Sequence, residues 1–184
     1  MLSIVIPAYN EEDRIGRTLE VLTTHFKNNQ IIVVFDGNDR TPQVVSKFPV
    51  DLIVSSKRLG KGGAIREGIK RSRGDAILLL DADLPIQTES LQEVVNALKD
   101  GDLVITTRVF RGLPASRGFL HRAFVLITKI FFPSLRRFRD FQAGLKVMRS
   151  EKVIQAMDEL IINDWLLDVS VSGKFLVGDQ RFLG

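Results

Sequence analysis

Short apolar runs alternate with amphipathic stretches through the first half of the chain. Residues 3–6, 31–35, 51–55, 76–80 and 103–107 are rich in Ile, Val and Leu and read as strands. Between the first two, Ile15, Leu19 and Leu22 recur at helical spacing. Further helices are expected around residues 41–48, from about 64 to 72 and from about 88 to 99. Pro7 is expected to end the first strand, and Asn10-Glu11-Glu12-Asp13 to supply a cap and an acidic first turn for the helix after it. Strand, loop and helix in this order are βαβ units, so the pattern predicts an α/β fold with a mostly parallel sheet flanked by helices. No internal repeat, low-complexity tract or linker interrupts it, and residues 1–184 are read as one domain.

The run 76–80 ends at Asp81-Ala82-Asp83, with Gly74 before it and Pro85 after it. These breakers favour a central strand, and ligands of open α/β sheets gather at such strand ends. Residues two apart on an extended chain point to the same side, so Asp81 and Asp83 are placed to share one hard cation, with Ala82 leaving room between them. The alternative is a solvated turn after a strand. Other polar clusters also follow strands: Tyr9 to Glu12 after the first, Asp36-Gly37-Asn38-Asp39 after the second, and Arg58-Leu59-Gly60-Lys61-Gly62-Gly63 after the third. The glycines of this last stretch permit close backbone approach, and its two cations suit phosphate, but the order of a Walker loop is missing.

Composition narrows the chemistry. The 184 residues are 45% hydrophobic and 26% charged, enough for one domain with a substantial core. The absence of cysteine excludes disulfides and thiolate metal sites, and the two histidines, His25 and His121, are isolated, so any metal should be oxygen-ligated. A net charge of +4 favours anionic partners without choosing among nucleotides, phospholipid surfaces and nucleic acid. No nucleic-acid motif or interleaving of aromatic and basic residues is present, so a nucleic-acid partner is not expected. The first seven residues have neither a basic leader nor a long apolar core, and an intracellular protein is expected.

Taken in order, Ile4-Val5-Ile6-Pro7-Ala8-Tyr9-Asn10-Glu11-Glu12, Asp36-Gly37-Asn38, Gly60-Lys61-Gly62-Gly63-Ala64 and Asp81-Ala82-Asp83 resemble the inverting family 2 glycosyltransferases, which have the GT-A fold. Arg139-Asp140-Phe141-Gln142-Ala143-Gly144-Leu145-Lys146 resembles the Arg-Asp-x-Gln-x-Gly-x-Lys stretch of polyprenyl-phosphate sugar synthases. Within that group the Lys61-Gly62-Gly63-Ala64 form is closer to dolichyl-phosphate β-glucosyltransferases than to dolichyl-phosphate mannose synthases. The resemblance extends over about residues 2–170 and implies one GT-A domain with a Rossmann-like sheet. Residues 1–107 would form the nucleotide-sugar half and residues 108–184 the acceptor half.

The resemblance implies transfer of a hexose, glucose or mannose, from a nucleotide-diphosphate sugar to a polyprenyl (dolichyl) phosphate. Asp81 and Asp83 would hold Mg²⁺ or Mn²⁺ on the diphosphate, with Asp83 and Asp140 the catalytic carboxylates. Pro7, Ala8, Tyr9 and Glu11 would wall the nucleotide, with Tyr9 as a stacking surface and Ala82 beside it. Asp36 would meet base or ribose, and Lys61 the donor phosphate or base, with Arg58 the second choice. Arg108, and Arg117 or Arg139, would bind the acceptor phosphate, and Asp140 would orient Arg139 or serve as base for a hydroxyl acceptor. The chain departs from the family at three places. Leu84-Pro85-Ile86-Gln87 stands where mannose synthases carry a further polar ligand, and Asp36 follows Phe35 where relatives often have paired aspartates, leaving Asp39 as a turn residue. Asp164-Trp165-Leu166-Leu167-Asp168-Val169 lacks the glutamate that closes the corresponding family stretch.

Seven arginines, 108, 111, 117, 122, 136, 137 and 139, surround the apolar residues 123–132. This segment is too short to span a bilayer, which takes about 20 residues. It suits either a peripheral position on the cytoplasmic membrane face, with arginines on lipid phosphates, or an ordinary buried helix. Relatives usually continue further, so the C-terminal part is expected to be minimal or missing. Two other functions stay open: a family 2 enzyme acting on a saccharide hydroxyl, and a non-enzymatic nucleotide- or nucleic-acid-binding module.

Overall fold

The computed structural model describes residues 1–83, 88–106, 145–158 and 180–183. Its elements in chain order are β1 (Leu2–Ala8), α1 (Ile15–His25), β2 (Gln30–Phe35), α2 (Thr41–Val45), β3 (Asp51–Val54), α3 (Gly60–Arg71), β4 (Ala76–Leu80), α4 (Thr88–Ala97), a 3₁₀ turn (Leu98–Asp100), β5 (Leu103–Thr106), β6 (Leu145–Arg149), α5 (Ser150–Asp158) and β7 (Gln180–Leu183). The strands form one sheet in the order β3-β2-β1-β4-β6-β5-β7. The first four are parallel neighbours, as the βαβ pattern predicts. β6 runs antiparallel between β4 and β5, and β7 is parallel to β5.

Alternation along the strands divides the core into two layers. Ile4, Ile6 and Ala8 face the layer that holds Ile15, Leu19 and Leu22 of α1 and Leu91 and Val94 of α4. Val5, Ile32, Val34 and Leu79 face the opposite layer with Ala64, Ile65 and Ile69 of α3. Central strands covered on both sides read as continuous apolar runs, which is why they stand out in the sequence. β6 does not stand out, because Lys146 interrupts it, yet Lys146 is only 1% exposed in the strand between Leu79 and Ile105.

The boundaries differ from expectation in four places. β1 continues through Pro7 to Ala8: its pairing with β4 stops at Val5, so at Pro7 only β2 is alongside and the missing N–H is tolerated. Glu11, Glu12 and Asp13 precede α1 in a separate turn, closed by the Glu11 carbonyl accepting the Arg14 and Ile15 amides at 3.0 Å, and do not form its first turn. α2 ends at Val45, short of residue 48, where turn hydrogen bonds replace the helix. α3 begins at Gly60, so the glycine-rich segment is its first turn and not a preceding loop.

α3 lies close on the sheet because Gly68 has no side chain: a Cβ there would overlap Val5 Cγ1, and Val5 is fully buried. Gly68→Ala should therefore destabilise the fold by about 1–3 kcal/mol despite the better helix propensity of alanine. A lower urea midpoint at unchanged slope is the expected readout; an unchanged midpoint would mean that α3 can move away from β1 freely.

Candidate active site

β1 and β2 end side by side, with Ala8 beside Phe35, and β4 ends next to β1 at Leu80, one residue past its last pairing, Leu79 with Val5. The segments that follow them, joined by the start of α3, enclose a pocket of about 240 Å³. It is lined by Pro7, Ala8, Tyr9, Glu11, Asp36, Lys61, Asp81, Ala82 and Asp83, all singled out in the sequence, together with Arg58 and Ala64. Asp140, Arg108, Arg117 and Arg139, and the stretch Asp164 to Val169, lie outside the described residues.

Two loops make the first wall. Asn10 adopts φ of 55°, the left-handed region that asparagine tolerates, and its Oδ1 accepts the Asn38 N–H at 3.0 Å. The Glu11 N–H donates to Thr41 Oγ1 at 2.9 Å, the Glu12 N–H to Asp39 Oδ2 at 3.1 Å, and the Arg40 N–H to Glu12 Oε2 at 2.9 Å. Gly37 allows this contact, since a Cβ there would overlap Asn10. Asp39 is a turn residue, as its spacing predicts: its Oδ1 accepts the Thr41 N–H at 3.0 Å. Burial alone would raise its pKa, but hydrogen bonds from Thr41 and from the Glu12 backbone outweigh that and hold the carboxyl below its ordinary value.

Asp36 makes the second wall. Its side chain is 2% exposed, a costly place for a carboxylate without donors. Three are supplied: Arg58 Nη1 at 2.6 Å on Oδ1, and the Leu59 and Gly60 N–H groups, each at 2.8 Å, on Oδ2. Leu59 itself offers no side-chain cap to α3, so a carboxylate from β2 caps this helix from across the sheet edge. Gly60 takes φ of 70° to bring its N–H there, a conformation that favours glycine. The Arg58 guanidinium also sits 3.5 Å from the Tyr9 ring centroid, a cation–π contact that covers one face of the expected stacking surface. Arg58, the second choice in the sequence, is thus the hub between Asp36 and Tyr9.

The third wall is the turn after β4. Asp81 is partly exposed and Asp83 exposed, with buried Ala82 between them. Lys61 Nζ lies 2.8 Å from Asp81 Oδ1, so it meets a carboxylate of the turn. Glu11 is bound to Arg14 at 2.7 Å. Burial pushes the Glu11 carboxyl above its ordinary value, Arg14 opposes this, and the negative charge of Asp83 adds to it, which marks Glu11 and Asp83 as electrostatic neighbours across the pocket. Among the described residues no group of three or more Asp, Glu or His side chains surrounds a common point. Two carboxylates at a solvent-accessible turn fit a hard, oxygen-seeking cation whose other positions are filled by phosphate oxygens and water, as Mg²⁺ commonly is.

Sequence reasoning missed Thr18, whose hydroxyl donates to the Ala82 carbonyl at 2.6 Å. It is an ordinary-looking residue on an amphipathic helix, and only the packing of α1 brings it to the turn.

The chain belongs to glycosyl transferase family 2, whose profile matches residues 3–154. It is 28% identical over 187 residues to a dolichol-phosphate mannosyltransferase of Pyrococcus furiosus, covering 95% of this chain and 53% of that protein. It is also 28% identical over 200 residues to the mouse dolichyl-phosphate beta-glucosyltransferase, covering 92% of this chain and 61% of that one. The chain therefore spans less than two thirds of the length of these relatives. The fold is GT-A: glucosyl-3-phosphoglycerate synthase from Mycobacterium tuberculosis, solved with Mn²⁺, uridine-diphosphate-glucose and phosphoglyceric acid, superposes with a TM-score of 0.67 at 18% identity, over 83% of this chain and 57% of that one.

Two consequences of this geometry are measurable. Asp36→Ala removes the acceptor for two amides and a guanidinium and should cost about 1–3 kcal/mol, with faster hydrogen exchange concentrated at the first turn of α3. Uniform loss of protection would contradict a local capping role. Glu11 has a raised folded pKa, so its contribution to stability is full below its unfolded value and is lost as pH rises through the folded one. The stability of the native chain relative to Glu11→Gln should therefore fall as pH rises past the ordinary glutamate value of 4.5 in urea titrations, and a constant difference would refute the shift.

Proposed function

We propose that the chain transfers a hexose, glucose or mannose, from a nucleotide-diphosphate sugar to a polyprenyl phosphate, with inversion at the anomeric carbon. The observation that carries this reading is the pocket in which Asp81, Asp83, Lys61, Arg58 and Asp36 converge at the carboxyl ends of parallel strands. The relatives named for dolichol-phosphate mannosyl and dolichyl-phosphate glucosyl transfer support the acceptor class.

On this reading Pro7, Ala8, Tyr9 and Glu11 hold the nucleoside against the first wall. Asp36 and Arg58 offer it an acceptor and a donor, and their mutual 2.6 Å contact keeps both in place before it arrives. Asp81 and Asp83 would hold Mg²⁺ or Mn²⁺, in keeping with the Mn²⁺ of the mycobacterial synthase. When bound, such a cation neutralises charge on the departing nucleoside diphosphate. Lys61 exchanges Asp81 for a diphosphate oxygen, keeping one ammonium paired with one anion throughout. Ala82 leaves room for the diphosphate between the two carboxylates.

The acceptor half, residues 108–184, is assigned the lipid phosphate. Arg108, Arg117 and Arg139 are suited to fork onto it, with Asp140 orienting Arg139. A phosphate monoester is largely ionised near neutral pH, so its oxygen attacks the anomeric carbon without a strong general base. Among the described residues no helix is long and apolar enough to cross a membrane. The arginine-flanked segment 123–132 is assigned to a peripheral contact with the membrane surface.

The test is a donor screen, UDP-glucose against GDP-mannose with Mg²⁺ or Mn²⁺, on a short polyprenyl phosphate carried in anionic or neutral vesicles. Lipid-linked hexose should form with one donor, faster on anionic vesicles and more slowly as salt rises. Asp83→Ala should lower the rate by at least about 100-fold while thermal unfolding is unchanged. Normal turnover in that variant would defeat the metal assignment, and equal transfer to a free sugar hydroxyl would defeat the acceptor.

A further inference from the structure

Three threonines on α1 face the same chemical choice. Thr23 donates its hydroxyl to the Leu19 carbonyl at 2.7 Å and Thr24 to the Glu20 carbonyl at 2.8 Å, the local bond to the preceding turn that helical threonines commonly make. Thr18 instead crosses to the Ala82 carbonyl at 2.6 Å, sixty-four residues away in sequence. Thr18 is 1% exposed and Ala82 4%, beside the apolar layer that includes Ile15, Leu19, Leu22 and Leu80. A buried hydroxyl in apolar surroundings needs a partner, and so does the Ala82 carbonyl once β4 has ended at Leu80. Each satisfies the other.

The bond acts on the pocket through the backbone. Holding the Ala82 carbonyl fixes the plane of the Ala82–Asp83 peptide, and with it the direction in which Asp83 leaves the chain relative to Asp81. Lys61 meets Asp81 from the α3 side, whereas the described contact that anchors the middle of the turn comes from α1. We infer that Thr18 is a positioning residue for Asp81-Ala82-Asp83: its hydroxyl, from the layer beneath the sheet edge, sets the separation at which the two carboxylates share a cation with a nucleoside diphosphate. This rests on the reading that these carboxylates hold a divalent cation. Groups that orient metal ligands in this way typically change affinity by about 10–100-fold when removed.

The experiment measures Mn²⁺ binding to the protein by electron paramagnetic resonance, with UDP and with GDP, alongside thermal unfolding. Thr18→Val keeps the volume and removes the hydroxyl, Thr18→Ser keeps the hydroxyl, and Asp83→Ala tests the underlying reading. The Mn²⁺ dissociation constant should rise about tenfold in Thr18→Val and stay within about threefold of the native value in Thr18→Ser, while Asp83→Ala loses binding. Native affinity in Thr18→Val, or weakening that Thr18→Ser fails to restore, would overturn the role of the hydroxyl and leave the metal site standing. Should Thr18→Val not fold, Thr18→Ala is compared with Thr18→Ser in the same way. No Mn²⁺ binding by the native chain with either nucleotide, or full binding by Asp83→Ala, would overturn the metal reading itself.

Discussion

The buried carboxylate of Asp36 is the constraint on which the pocket depends. It stands at the end of β2 with almost no access to water, and an ionised group in that position requires donors. The donors are Arg58 and the first amides of α3. Satisfying Asp36 therefore decides where α3 begins, why residue 60 is glycine, and where Arg58 stands over Tyr9. From the start of α3, Lys61 reaches Asp81. Thr18 secures the far side of the same turn, and the two loops of the first wall are joined by hydrogen bonds between backbone and side chains. The site is a ring of polar contacts closed over the apolar edge of a sheet.

Charge is arranged in pairs around that ring: Arg58 with Asp36, Lys61 with Asp81, and Arg14 with Glu11. The Lys61–Asp81 pair, with both side chains partly exposed, contributes little to stability, because water competes for each partner. On the proposed reading, the value of the Lys61–Asp81 pair is in exchange: a diphosphate entering with a cation would take over Lys61 while the cation would take Asp81, so no ammonium or carboxylate would be stripped bare. Asp36 is different, since its amide donors are fixed in the helix and cannot be given up without loosening α3.

How much of this was legible in the sequence depended on range. The parallel strands are buried on both faces, so β1, β2 and β4 appear as apolar runs, and the residues at and just beyond their ends, Pro7 to Glu11, Asp36 and Asp81 to Asp83, could be named as pocket candidates. β6 was hidden because Lys146 breaks its apolar pattern, although the strand buries that residue. The start of α3 was placed late because glycines read as loop, and nothing local announces that a cap will arrive from β2. Asn10 to Asp13 looked like a helix cap for the opposite reason: the local chemistry was right, but those groups are used to tie the Thr41 loop to the Glu11 loop.

By itself, then, the sequence determined the alternation of strands and helices, the α/β class and the strand ends where chemistry collects, because hydrophobic period and turn residues act over a few positions. Only the tertiary structure decided which polar group satisfies which. Asp36 lines the pocket, as its place after a strand predicts, and it also caps a helix 24 residues away. Thr18 could have bonded within α1, as Thr23 and Thr24 do, and instead holds Ala82. The physical reason is that a buried polar group must find a partner, and the partners available to it are fixed by how the layers pack, which no local pattern encodes.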